Sequence, residues 1–180
     1  NSDDGSPAAV AEAFPSVRLI ENRRNRGFAA ACNQAAAASS STYVLFLNPD
    51  TEPRPGSLKR MIGFLKDRPA AAGGGPRLLN PDGTTQPSIR NFPGFKSSLG
   101  EFTLLGKMGL FRQARKEYHC RDFDYDRAGI VAQPMGAALF IDRAALEEAG
   151  GMDEDFFLYF EEVDLCRRLP RFGRHGYGTE

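Results

Sequence analysis

"YVLFLNPDTEP", residues Tyr43 to Pro53, decides how the rest of the chain is read. Five residues that are apolar without alternation suit an inner strand covered on both faces, and Asn48, Pro49 and Asp50 follow at once. Pro49 has a fixed φ and no N–H, so the backbone leaves the ladder there and carries Asp50 out at the strand tip. In an open α/β sheet, ligands sit outside the carboxyl ends of the strands, which is where Asp50 falls. An aspartate at such a place can stabilise a turn. It can also be a hard oxygen ligand for Mg²⁺ or Mn²⁺ shared with a substrate diphosphate, because magnesium keeps most of its waters and commonly takes only one or two protein carboxylates.

Working outward from this stretch, helix and strand signals alternate. On the N-terminal side, Ser6 and Pro7 read as a cap and first helical position for "PAAVAEAF", "VRLIE" as a strand, and "FAAACNQAAAAS" as a helix of about three turns after an Asn25-Arg26-Gly27 turn. On the C-terminal side, "SLKRMIGFLKDRP" places Leu58, Met61, Ile62 and Leu65 on one helical face. "AAAGGGPRLLNPDGTTQ" then predicts a strand and a hairpin-like turn at Asp82-Gly83. Residues 87–130 are the least patterned, with a helix expected near Ser97–Met108 and a basic, tyrosine-containing loop beyond it. "GAALFIDR" predicts a strand, "RAALEEAG" a short helix, and "EEVDLCRRL" a last helix stopped by Pro170. The alternation predicts an α/β domain with a mainly parallel central sheet flanked by helices.

The chain has 180 residues, which suits one domain with a substantial core. Lys plus Arg and Asp plus Glu balance at 23 each, which removes the global field expected of a nucleic-acid-binding protein. Cys32, Cys120 and Cys166 lie far apart without a C-x-x-C pair, so neither a zinc knot nor a disulfide framework is suggested and a reducing cytoplasm is expected. No run approaches the roughly 18 apolar residues of a membrane span, and no export signal opens the chain. The expectation is a soluble cytoplasmic chain.

A second acidic cluster lies in "GGMDEDFFLYFEEVDLCRRL". Glu161 and Asp164 fall on one face of the helix start and Glu162 on another. Acids at a helix N-terminus complement its dipole. Acids set against "FFLYF", an aromatic run expected to be partly buried, have a further use, since a carboxylate beside apolar rings has a raised pKa and suits a general base. "NRRNR" (22–26) could grip phosphate or be solvated surface. His119 and His175 have no partner at metal-ligand spacing, and the "GGG" of 73–75 lacks the context of a phosphate loop and suits close backbone packing.

"NSDDGS", "ENRRNRGFAAACNQ", "LFLNPDT", "GPRLLNPDGTTQPSIRNFP" and "MGAALFIDRAALEEAGGMDEDFFLYFEEVDLCRRL" occur in that order over almost the whole chain. Together they resemble the inverting family 2 glycosyltransferases, and among these bacterial rhamnosyltransferase-type enzymes of cell-surface polysaccharide assembly. The resemblance implies a GT-A fold, a nucleotide-diphosphate sugar donor, a glycan or lipid-linked acceptor hydroxyl, and Mg²⁺ or Mn²⁺. It places Asn48 where the first acid of the family's DXD motif often stands and makes Asp50 the metal-binding acid. Asn25, Gly27 and Asn33 match the segment lining the nucleotide side of the donor pocket. Gly136 and Ala137 match small residues near donor sugar and acceptor, a neighbourhood that also takes in Asp164. "FEEVDLC" matches the segment whose second acid is the catalytic base, here Glu162, with Glu161 the alternative.

Measured against that family, residues 1–180 are expected to form a single, partial catalytic domain, beginning after a strand, a nucleotide-contacting loop and a second strand, and ending before a later strand and histidine. Weak or absent activity and self-association are expected of such a fragment, as is peripheral membrane association of the parent protein at the inner face of the membrane. The rival readings are a non-catalytic sugar-nucleotide or glycan-binding module, and a partner-docking domain using residues 92–125.

Overall fold

The computed structural model describes residues 2–169 and 175–178. It is an α/β structure of eight helices and nine strands within those bounds. Apart from the segment between its first two helices, the first half follows the predicted order: α1 (Ser6–Ala13), α2 (Phe28–Ala37), β1 (Tyr43–Leu47), α3 (Ser57–Lys66) and β2 (Gly73–Pro76). An excursion follows, comprising β3 (Leu78–Leu79), β4 (Thr85–Gln86), β5 (Ile89–Arg90), α4 (Phe95–Phe102), α5 (Leu104–Lys107) and α6 (Arg112–Tyr118). The chain returns through β6 (Gly129–Val131), β7 (Gln133–Pro134), β8 (Ala138–Asp142), α7 (Arg143–Glu148), α8 (Glu161–Arg168) and β9 (His175–Gly178).

The main sheet has the order β1-β8-β2-β9-β6. β1, β2 and β9 run one way and β8 and β6 the other, so only the β2–β9 pair is parallel. This corrects the expected mainly parallel pairing. Local alternation of helices and strands said nothing of β8, a late strand that inserts between β1 and β2, pairing Tyr43 with Asp142 and Gly73 with Ile141. The glycines of β2 make the insertion possible, since a methyl group on Gly73 would stand 2.6 Å from the Phe140 carbonyl oxygen. Close backbone packing is thus the use of "GGG".

Three local expectations change. "VRLIE" is not a strand, because no described strand lies alongside to hydrogen-bond it, and Val17 and Leu19 are exposed. The helix expected over Ser97–Met108 is two helices, broken at Thr103, whose backbone is extended (φ −125°, ψ 163°) and whose hydroxyl donates to the Leu99 carbonyl. α1 starts at Ser6, with Gly5 as its N-cap and the Asp4 carboxylate accepting from the Ser6 N–H and hydroxyl. The effect of Pro170 lies outside the described residues.

One apolar core joins α2, β1, β8, α7 and α8 through residues that include Ala29, Phe46, Leu139, Ile141, Leu146 and Leu165. α8 docks its Leu165 and Cys166 into it. A smaller cluster of Ile89 and Val131, covered by Cys120, Phe123 and Tyr125, sits under the excursion. Among the described residues no helix is long and apolar enough to cross a membrane.

Candidate functional site

β1 ends at Leu47, and a turn carries Asn48 to Thr51. The turn closes on itself, the Thr51 N–H donating to the Asn48 carbonyl at 3.1 Å. It is also fastened to the segment before β8: the Asn48 N–H donates to the Ala137 carbonyl at 2.9 Å, and the Thr51 hydroxyl donates to the same oxygen at 3.3 Å. Proline between them takes the chain away from the sheet, so Asp50 stands exposed, with no hydrogen-bond or ion-pair partner for its carboxylate among the described residues.

The opposite side of the Gly136–Ala137 segment meets Glu162. A methyl group on Gly136 would lie 3.1 Å from Glu162 Cγ and 3.4 Å from its carboxyl carbon, so Gly136 is the residue type that lets this side chain lie flat on the main chain. Four predicted residues therefore form one continuous unit, Asn48 to Ala137 by hydrogen bond, Gly136 to Glu162 by packing, with Asp50 projecting from the first turn.

Glu162 is the second residue of α8 and is half-buried. Burial holds its pKa above the ordinary glutamate value; its own N–H and that of Val163 oppose the shift, and the neighbouring Glu161 adds to it. Glu161 itself is only 5% exposed, and its Oε2 has no hydrogen-bond partner among the described residues. It faces the core side of the helix, one turn before Leu165. The two acids are separated by direction: one points into the packed interior and the other toward the Asn48–Ala137 unit. Burial first, and the adjacent glutamate second, push the Cys32 and Cys166 thiols up to about 12, which leaves neither as a nucleophile.

The aromatic run before α8 is a correction. Phe157, Leu158, Tyr159 and Phe160 are exposed, Tyr159 by 71%, rather than partly buried. Tyr159 and Phe160 both take left-handed conformations (φ 71° and 70°), which bulky residues rarely adopt and which mark strain at this turn into α8. The raised pKa of Glu162 comes first from burial, and Phe157 to Phe160 turn outward beside it.

The residues assigned to the nucleotide side have separate environments. Asn25 Oδ1 accepts from the Gly27 N–H at 2.9 Å, and Gly27 (φ 85°) is buried under the aromatic loop, where a methyl group would stand 2.8 Å from the Phe157 carbonyl oxygen. The Phe28 N–H donates to that same oxygen at 3.1 Å. Asn33 staples α2 to the loop before α8: its amide nitrogen donates to the Met152 carbonyl at 2.8 Å and to Glu154 at 3.1 Å, and its oxygen accepts from the Met152 N–H at 2.9 Å. Asp164 is held by Arg168, whose Nε donates to it at 2.7 Å while the guanidinium also reaches the Ala149 carbonyl. Within "NRRNR", Arg26 pairs with Glu154 at 3.5 Å and Asn22 bonds Gln34. His119 is bound to Glu101, and the side chain of His175 lies outside the described residues.

Thr51, Phe157 and Met152 complete this framework and were not predicted. Two signals pointed to them: a hydroxyl immediately after the strand-tip aspartate, and the paired glycines before Met152, where a methyl group on Gly151 would collide with Asn33 Oδ1 at 2.7 Å.

Among the described residues no three acids, histidines or cysteines converge on a metal position. An exposed carboxylate without a partner at a strand tip does fit a cation whose remaining ligands come from a diphosphate and water, which is the usual arrangement for Mg²⁺.

The sequence model of Glycosyl transferase family 2 matches residues 1–132. An N-acetylglucosaminyl-diphospho-decaprenol L-rhamnosyltransferase of Mycobacterium tuberculosis is 31% identical over 96% of this chain. A pre-mycofactocin glycosyltransferase of the same organism is 30% identical over 95% of it, and a hexosyltransferase of low-salt glycan biosynthesis from Haloferax volcanii is 25% identical over 86%. The chain spans 59%, 33% and 47% of the lengths of these three relatives. With an α/β architecture consistent with the GT-A fold, and a family match over most of its length, the chain belongs to glycosyl transferase family 2.

Proposed function

We propose that the protein transfers a sugar, a rhamnosyl group being the first candidate, from a nucleotide-diphosphate donor to a hydroxyl of a glycan or lipid-linked acceptor with inversion, in the synthesis of cell-surface polysaccharide. The observation that carries this reading is the continuous unit running from the Asp50 turn through Ala137 and Gly136 to Glu162, which puts a free hard-oxygen ligand and a half-buried carboxylate on one piece of framework. The rhamnosyltransferase relative, whose name specifies a lipid diphosphate acceptor, supports the choice of sugar and acceptor class.

In this reading the acceptor oxygen attacks the anomeric carbon while the bond from that carbon to the diphosphate breaks. Glu162 receives the hydroxyl proton, and the nucleoside diphosphate leaves. Burial helps, because a carboxylate with a raised pKa holds the proton it takes more firmly. Asp50 would hold a divalent cation, which when bound neutralises charge on the leaving diphosphate. Asn25 and Gly27 border the nucleotide, Asn48 and Ala137 fix the turn, and Asn33 and Asp164 act at one remove by holding the loop and helix that carry Glu162.

The test uses donor binding and transfer measured separately on the parent protein. Glu162→Gln should lower transfer by about 10²- to 10⁴-fold with donor affinity nearly unchanged. Asp50→Ala should weaken metal-dependent donor binding as well as transfer. Near-normal transfer by Glu162→Gln together with loss in Glu161→Gln would move the base to Glu161, and near-normal transfer by both would end the reading.

A further inference from the structure

The excursion carries a surface that lies outside the unit joining Asp50 to Glu162. α4 is packed through small residues: Ser97 and Gly100 are buried, and a methyl group on Gly100 would stand 2.8 Å from Arg115 Cγ and 3.2 Å from Phe111 Cβ on the α6 side. The other face of α4 and the segment after it are apolar and open. Phe95, Phe102, Leu104 and Met108 are each more than 70% exposed, and Leu110 is exposed beside them. Phe95 and Phe102, seven residues apart, share a helix face, and Leu104 and Met108 are one turn apart.

Cations outnumber acids on this segment. Lys96, Lys107 and Arg112 are exposed and have no hydrogen-bond or ion-pair partner among the described residues. Arg115 and Lys116 are already paired, with Glu101 at 2.8 Å and Asp122 at 2.8 Å. The segment's acids are turned to other work: Glu101 also binds His119 at 2.7 Å, and Glu117 accepts from Gln113 at 2.9 Å. Large exposed apolar side chains on a segment that also carries unpaired cations form the pattern of a surface that lies in a membrane interface, rings and aliphatic chains entering the acyl boundary and cations meeting anionic headgroups. A symmetric contact between two copies would instead bring like charges together.

We propose that the face formed by α4, α5 and the turn to α6 docks on an anionic phospholipid surface. The proposal is independent of the sugar-transfer reading, since it rests on a different part of the fold.

The experiment is co-sedimentation of this chain with vesicles of phosphatidylcholine alone and of an equal mixture with phosphatidylglycerol, at about 50 and about 500 mM salt. The expected result is partitioning at least about tenfold stronger onto the anionic vesicles, weakened by salt. Lys96→Gln and Lys107→Gln should each lower it about fivefold, the effect of removing about 1 kcal/mol of headgroup attraction. The triple variant Phe102→Ser, Leu104→Ser, Met108→Ser should abolish it, while Leu58→Ser, on exposed α3 surface, should leave it unchanged. All these side chains are exposed, and an unchanged circular dichroism spectrum and thermal midpoint would show each variant folded. Absence of partitioning, or partitioning unchanged in both the lysine and the triple variants, overturns the proposal. So does a triple variant that turns a dimer into a monomer without altering vesicle binding, which would assign the face to a second copy of the chain.

Discussion

The core around β8 and the unit built from α4, α5 and α6 differ in what holds them. The first buries Leu139, Ile141 and Leu165 completely and sets three helices against a sheet. The second buries only small residues, Ser97 and Gly100, along α4 and is tied by Glu101 accepting from Arg115 and His119. Apolar burial contributes in proportion to area, whereas partly exposed ion pairs contribute little. The difference teaches that the turn bearing Asp50 and the helix bearing Glu162 are anchored to the stable part of the molecule, and that the exposed apolar face belongs to the part that opens at least cost.

The sharpest way to break this contrast is to cut each side. Leu165→Ala, in the core under α8, should cost about 2–5 kcal/mol and lower Tm by roughly 5–15 °C. Phe102→Ala, on the open face, should change Tm by a small fraction of that, and equal losses would mean that α4 is as firmly packed as α8.

Asn33→Ala comes next. It removes both hydrogen bonds to Met152, and a buried backbone group left unpaired should cost about 1–3 kcal/mol, read by denaturant unfolding. Because the loop it staples leads into α8, the sharper readout is a fall in transfer rate larger than that of an equally destabilising core variant far from α8.

Glu101→Gln should cost less than about 1 kcal/mol. The Arg115 guanidinium first, and His119 after it, hold the Glu101 carboxyl below its ordinary value. A depressed acid stabilises the folded form above its unfolded pKa and loses that contribution as pH falls through the folded one. The protection factors of the α4 amides, taken relative to their intrinsic exchange rates, should therefore fall on acidification in the native protein and vary less with pH in the variant; the same pH response in both would remove the ion cluster from the account.

Glu162→Gln should give the smallest change in stability, and of opposite sign. With its pKa raised by burial, Glu162 favours folding when protonated, fully so below its unfolded pKa, and this is lost as pH rises through the folded value. The variant should thus melt slightly higher than the native protein near neutral pH and no higher at pH below the ordinary glutamate range. A variant that melts lower at neutral pH would show that the carboxylate is held by favourable bonds instead.

The strand-tip acid and the order of the early elements were legible because they are local: an unbroken apolar run, a proline and a turn are written within a dozen residues. Glu162 as the acid lying on Gly136 came from the family resemblance, and its own sequence neighbourhood misdirected the physical reason, since the rings beside it face outward. A run of apolar side chains does not say which way a strained turn will point them. The staple made by Asn33 and the insertion of β8 were not legible, because each joins residues far apart in the chain, where no spacing rule operates.

The insertion of β8 has a consequence for the order of events during synthesis. β1 and β2 are complete early, yet neither pairs with the other: β8 lies between them, the later β9 takes the other edge of β2, and the register that joins Tyr43 to Asp142 requires nearly the whole intervening chain to have been made. At about 5–20 residues per second on the ribosome, two apolar strand edges wait about 5–20 seconds for their common partner. The nascent protein therefore passes through an interval in which both strands are finished and unpaired, and Pro49 and the glycines of β2, set in or just beyond those edges, make poor templates for a wrong partner during that wait.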